Sequence, residues 1–264
     1  MYSLNLKSNI VTASVMVSAL LLSGAALASA ENGDEDLPEA RELLDRHFEA
    51  MGGREAVEKQ ENSTMKGRFE MPASGLVGSI VVASRPTNDR VSIIELEGFG
   101  EIRSGYSSEL AWSVDPFTGP RLLEGEELQA QAEQNETGAM LREDSHVDSM
   151  ETVERTEMDG QECYRVRVEW KSGRESFDCY ATDSGLMLAI EMTQPSPMGE
   201  MSSVSLFQDY QEFDGIQVPT RTLIRSMGQE QVLIIESIDL GEPDEALFEL
   251  PASIQALAAD NASE

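Results

Sequence analysis

From Asn62 onward the apolar residues recur at every second position, and that period decides what the chain can build. Met65, Gly67, Phe69 and Met71 alternate with Lys66, Arg68 and Glu70. Leu186, Leu188, Ile190 and Met192 alternate with Met187, Ala189, Glu191 and Thr193. Ile216, Val218, Thr220, Thr222 and Ile224 alternate with Gln217, Pro219, Arg221, Leu223 and Arg225. Such a period places each set on its own face of a β-strand. Leu76 to Ala83, the stretch around Ile93 and L-A-W-S-V around Trp112 read as further strands. Turn residues punctuate the series at Asp115-Pro116, Asp159-Gly160, Ser172-Gly173, Asp183-Ser184-Gly185, Asp214-Gly215 and Gly228-Gln229. Their spacing, roughly a dozen residues, suits sequential antiparallel hairpins.

A series of about eleven strands is too wide for a flat open sheet and should curl. Two regions depart from the period. L-P-E-A-R-E-L-L-D-R-H-F-E-A-M, from Leu37, sets Leu43, Leu44, His47, Phe48 and Met51 on one helical face, with Asp36 as N-cap, Pro38 at an early helical position and Gly52-Gly53 as the stop. A short helix over Arg54 to Gln60 follows. Glu124 to Ser145 is rich in helix formers and poor in β-branched residues, which places one or two helices midway along the chain. The expected class is α+β, mainly β: a curled antiparallel half-barrel of about eleven strands, with helices covering its concave face as a lid.

The first thirty residues specify a compartment. Lys7 precedes an uncharged apolar run from Ile10 to Leu22, and Ala28-Ser29-Ala30 supplies a small-residue processing site. Residues 1–30 read as a secretory signal peptide cleaved after Ala30, and the mature protein is expected in the periplasm without a transmembrane segment. Beyond it, 31–36 reads as a flexible acidic N-terminus, 37–254 as one domain and 255–264 as a flexible tail. The whole chain carries a formal charge of −30. A surface so negative repels phosphate backbones, which excludes nucleic acid as a partner.

Four segments, taken in order, resemble a known family. They are L-A-W-S-V-D-P-F-T-G-P (Leu110 to Pro120), E-C-Y-R-V-R-V-E-W-K-S-G-R-E followed by D-S-G-L-M, F-Q-D-Y-Q-E-F-D-G-I-Q-V-P (Phe207 to Pro219), and V-L-I-I-E-S-I-D-L with A-L-F-E-L-P (Val232 to Pro251). Together they resemble the periplasmic outer-membrane lipoprotein-sorting proteins of the superfamily of the carriers LolA and LolB. The resemblance covers about Leu37 to Ile254. It implies an incomplete antiparallel barrel with a helical lid that binds lipid or lipoprotein acyl chains in its concave cavity. The alternative role for the same fold is an envelope sensor or adaptor that binds a protein partner.

The residues themselves argue against an enzyme. The two histidines, His47 and His146, lie in unrelated predicted elements, and no nucleophile elbow, zinc-protease, P-loop or dinucleotide motif occurs. Asp115 beside Trp112 is read as a turn residue in D-P-F-T-G, and the acid run Glu124-Gly125-Glu126-Glu127 as a solvated helix start. No metal site and no cofactor is expected. The candidate ligand contacts are the apolar positions Phe69, Ile80, Val82, Ile93, Trp112, Leu188, Ile190 and Met192. Each could equally pack as dry core.

Both cysteines, Cys163 and Cys179, fall in one hairpin. Cys163, Arg165, Arg167 and Glu169 alternate with Tyr164, Val166, Val168 and Trp170, which puts the cysteines on the charged, outer face. A three-residue loop at Lys171-Ser172-Gly173 sets Trp170 opposite Arg174 and makes the cysteines diagonal neighbours, about 7 to 8 Å apart between Cα atoms. A bridge then needs strong local twist or a longer, five-residue loop. The oxidising compartment favours a disulfide.

Overall fold

The computed structural model describes residues 37–107, 110–116, 118–196 and 199–261. The expected signal peptide, the acidic 31–36 segment and the Asp36 cap lie outside the described residues. Among the described residues, thirteen strands form one antiparallel sheet: β1 (Ser63–Met71), β2 (Leu76–Ser84), β3 (Arg90–Leu96), β4 (Gly100–Ser107), β5 (Leu110–Asp115), β6 (Gly119–Leu123), β7 (Val147–Met158), β8 (Gln161–Trp170), β9 (Glu175–Ala181), β10 (Met187–Ser196), β11 (Gly199–Phe213), β12 (Ile216–Ser226) and β13 (Gln229–Asp239). Their order is β6-β5-β4-β3-β2-β1-β13-β12-β11-β10-β9-β8-β7. Two meanders therefore meet where the first strand pairs with the last, and β6 and β7 are the open edges. The count exceeds the expected eleven or so. β6 is one strand the turn-rich D-P-F-T-G-P run conceals, being only five residues long.

Helix α1 (Ala40–Ala50) follows Glu39 at the N-cap, so Pro38 precedes the helix rather than opening it. Its face of Ala40, Leu43, Leu44 and Phe48 packs on Val147, Val166, Val168, Trp170 and Tyr180 of β7–β9. Thr152 Oγ1 donates to the Pro38 carbonyl at 2.7 Å, fixing the entry of α1 against the edge strand. At its exit Gly52 has φ +108, and a Cβ there would lie 2.2 Å from the Gly215 carbonyl oxygen. Only glycine allows that approach, which the Gln217 N–H donation to the Met51 carbonyl at 3.0 Å completes. Helix α1 thus crosses from β7 to the β11–β12 turn. Helix α2 (Arg54–Lys59) follows directly.

Helices α3 (Glu126–Asn135) and α4 (Thr137–Met140) join edge strand β6 to edge strand β7. Helix α3 touches β4 and β5 on one side and β10 on the other, so it bridges the two arms of the curl. Arg121 of β6 pairs with Glu127 and Arg174 with Glu133, holding α3 at both arms. The sheet face beneath α1, α3 and α4 is hereafter the lid face.

The opposite, outer face is also covered. A short 3-10 helix, Glu245–Phe248, and α5 (Ala252–Asn261) place Leu247, Phe248, Leu250, Ile254 and Leu257 against Ala83, Val91, Ile93 and Trp112. The tail expected beyond Ile254 is therefore helical to Asn261, and Ile254 is wholly buried. Its alanine-rich sequence carries little amphipathic signal, which hid the helix from a periodicity argument.

The cysteine hairpin has the three-residue register: Cys163 pairs with Ala181, Arg165 with Cys179, and the Trp170 N–H donates to the Arg174 carbonyl at 2.9 Å. Cys163 and Cys179 are bridged across that diagonal, with Cα atoms 5.6 Å apart. The right-handed twist of the ribbon shortens the diagonal below its flat-sheet value. The pair is on the outer face but not on a wet surface. Both are buried in a cluster with Ala181, Leu188, Ala189, Leu206, Leu223 and Val232.

Candidate functional site: a cavity between the lid and the sheet

A cavity of about 570 Å³ lies on the lid face. Glu133, Gln134 and Met140 of α3–α4 form its roof. Its floor is the lid-side residues of three adjacent strands: Ile190, Met192 and Gln194 of β10, Met201, Ser203, Ser205 and Phe207 of β11, and Ile224 and Ser226 of β12. The register makes this a single surface, since Ile190 pairs with Ser205 and Ser205 with Ile224. Trp170 and Arg142 line one side, and Arg90 of β3 lines it from the other arm of the curl. A second depression, about 650 Å³, opens at the hairpin tips. Its wall carries Glu126, Arg174, Glu175, Glu191 and Glu200 and is too charged to shelter an apolar ligand.

The sequence candidates divide by face. Ile190 and Met192 stand in the cavity floor. Phe69, Ile80 and Val82 share the lid face but pack together with Leu96, Ile94 and Leu233 in a cluster of their own. Ile93 and Trp112 lie on the outer face under α5, where Gly105 opposite Trp112 leaves room for the indole. Leu188 belongs to the outer cluster around the disulfide, because a bulge between Met187 and Ala189 breaks the alternation that grouped it with Ile190. Of the eight candidates, Phe69, Ile80, Val82, Ile93, Trp112 and Leu188 therefore lie outside the cavity lining, and only Ile190 and Met192 belong to it. Sequence reasoning missed Arg90, Met140, Met201, Phe207 and Ile224. Met201, Ser203, Ser205 and Phe207 do share one parity, but two serines in the set masked an inward face.

Beside the cavity lies a buried polar knot. The Arg142 guanidinium donates to both oxygens of Asp178, at 2.9 and 3.1 Å, and to the Ala139 carbonyl at 2.8 Å. Burial would lower its pKa, and the Asp178 carboxylate more than offsets this, leaving Arg142 above its ordinary value. The Tyr180 hydroxyl donates to the same carboxylate at 3.0 Å, and burial pushes its pKa well up. Helix α1 lays His47 over Tyr180, ring centroids 5.4 Å apart. The His47 Nδ1 atom is buried without a hydrogen-bond partner.

A second network fastens the roof. Glu136, between α3 and α4, accepts from the Tyr106 hydroxyl of β4 through one oxygen and lies 2.7 Å from His146 Nε2 through the other. Burial works against its charge, but the Tyr106 and His146 hydrogen bonds prevail and hold its carboxyl below the ordinary value. Ser145 Oγ is 2.8 Å from His146 Nδ1, so hydroxyl, imidazole and carboxylate stand in line. With both Glu136 oxygens engaged, one of them to a different strand, the arrangement acts as a clamp tying the roof to β4 and to the start of β7.

Among the described residues, no helix is long and apolar enough to cross a membrane. No family model and no curated protein matches the sequence. Solved structures do match. A LolA superfamily protein from Nitrosomonas europaea aligns with a TM-score of 0.54 at 14% identity, covering 81% of this chain and 99% of that one. The fold is LolA-like. A protein of the DUF1329 family from Desulfovibrio piger aligns with a TM-score of 0.52 at 15% identity, covering 81% of this chain and 98% of that one. At such identities the likeness speaks for the half-barrel with its lid, and no individual side chain is transferred from it.

Proposed function

We propose that this chain is a non-catalytic periplasmic carrier or binding protein for lipid or lipoprotein acyl chains, held between α3–α4 and strands β10–β12. The observation that carries the reading is the cavity itself. Its volume of about 570 Å³ falls in the range of small-molecule sites, and Met140, Ile190, Met192, Met201, Phe207 and Ile224 give it an adaptable apolar lining. Burying an alkyl chain contributes about 0.8 kcal/mol per methylene, so ten methylenes would supply roughly 8 kcal/mol before the entropic costs of binding. The leader-like first thirty residues and the segment resemblance to lipoprotein-sorting proteins support the compartment and the ligand class.

The test is uptake. Protein purified without detergent should release an amphiphile on organic extraction, read by mass spectrometry, and the stripped protein should bind a fluorescent fatty acid. Ser205 sits on the cavity floor, and Ser205→Trp should fill the space and weaken probe binding by about tenfold or more while leaving the melting temperature near wild type. A protein that carries no amphiphile and takes up no probe would overturn the reading.

A further inference from the structure

We infer that the ligand is an amphiphile with an anionic head, and that Arg90 is the group that receives it. The inference rests on the carrier reading and sharpens it from an apolar chain to a chain with a carboxylate or phosphate at one end.

Two ionisable side chains other than Arg90, Glu133 and Arg142, line the cavity, and each has a counter-charge. Glu133 is paired with Arg174, and Arg142 with Asp178. Arg90 differs. Among the described residues, its one side-chain hydrogen bond is from Nε to the neutral Ser84 hydroxyl, at 3.1 Å, and it forms no ion pair. Burial alone acts on its titration, lowering its pKa from the ordinary guanidinium value, with no carboxylate contributing. This occurs in a chain with 49 acidic residues against 19 lysines and arginines. Arg90 is half-buried, and its terminal amino groups are neither paired nor sealed from the cavity, so they are free to donate to an anion that enters it.

The placement suits that role. Arg90 begins β3, opposite Ser84 of β2 and Tyr106 of β4, on the arm of the curl facing β10–β12. It lines the same cavity as Met192, Met201, Phe207 and Ile224, so a head group at Arg90 directs its chain over that floor. The guanidinium is a fork of donors with a matching geometry for carboxylate and phosphate oxygens. Because the rest of the protein is so negative, long-range attraction cannot draw an anion in, and selectivity must come from this local contact.

The experiment uses the full mature chain stripped of bound amphiphile, titrated calorimetrically with dodecanoate, dodecyl phosphate, dodecanol and inorganic phosphate. The expected result is that the two anionic amphiphiles bind about tenfold or more tightly than dodecanol, the scale of one charge-assisted hydrogen-bonded contact, while inorganic phosphate neither binds nor competes. Stronger binding of dodecyl phosphate than of dodecanoate assigns the head to a phospholipid, and the reverse to a free fatty acid. Arg90→Gln should bring the anionic ligands down to the level at which the same variant binds dodecanol, and Arg90→Lys should restore part of the preference. Equal binding of dodecanoate, dodecyl phosphate and dodecanol by wild type, or a preference that survives in Arg90→Gln, overturns the assignment and leaves the carrier reading standing. Competition by inorganic phosphate alone overturns the amphiphile in favour of a simple anion site. Failure of every alkyl ligand overturns both readings together.

Discussion

His47 makes acid stability a direct test of how α1 is seated. The residue is 8% exposed, its ring lies against Phe48 and Tyr180, and its Nδ1 atom has no partner. Burial lowers its pKa from 6.5 to about 4; the Asp178 charge and a Gly185 backbone hydrogen bond oppose the shift, and Arg142 adds to it. In the unfolded chain the imidazole titrates normally. Between these two values the unfolded state binds a proton that the folded state refuses, so unfolding is favoured as pH falls. The contribution is fully present above about pH 6.5 and is lost progressively toward pH 4, a total of about 3 kcal/mol. Many carboxylates titrate near the lower end of the same window, so the wild-type curve alone cannot isolate the histidine. Urea unfolding of wild type and His47→Leu at a series of pH values can, since the carboxylates are common to both. The difference in unfolding free energy should move by about 3 kcal/mol in favour of the variant between about pH 7 and pH 4. Parallel curves would refute the reasoning, showing that His47 is hydrated or paired and that α1 does not seal the knot beneath it.

The remaining predictions concern the knot and the bridge. Arg142→Ala strands the fully buried Asp178 carboxylate and should cost about 3 to 5 kcal/mol in chemical denaturation, whereas combining it with Asp178→Asn should recover part of that loss. Replacing Cys163 and Cys179 together by alanine opens a loop of sequence separation 16 and should cost about 3 kcal/mol, with little change in ligand affinity because the bridge lies on the outer face. A loss of binding as large as the loss of stability would mean that the outer cluster shapes the cavity.

Period and turn chemistry carried much of the architecture. In the cysteine hairpin, K-S-G was enough to set the register of β8 on β9 correctly. What the ladder could not give was twist: flat-sheet spacing puts the two sulfurs too far apart, and the bridge exists because the ribbon is not flat. The cavity was half legible for a related reason. Alternation tells which residues share a face but not which face looks inward. Beneath β2–β6 the outer face is also covered, by a C-terminal helix that periodicity did not find, so Ile93 and Trp112 read as inward when they pack under α5. At Leu188 one bulge was sufficient to transfer a residue between faces. Arg90 escaped notice because its significance is a missing counter-charge, and sequence spacing reveals neither which acids are close nor which are not.

The path of the chain around the curl has a mechanical consequence. The two meanders are joined on one side by the β1–β13 ladder and on the other by α3 and α4, which run from edge strand β6 to edge strand β7. The first seam is a row of backbone hydrogen bonds whose spacing is fixed, while the second is a strap of helices held by side chains. Any change in the girth of the curl must therefore be taken up by the strap. Were the cavity to hold a ligand thicker or thinner than itself, that span would lengthen or shorten while the ladder hydrogen bonds stayed in place, and the roof would act as the buckle of a belt.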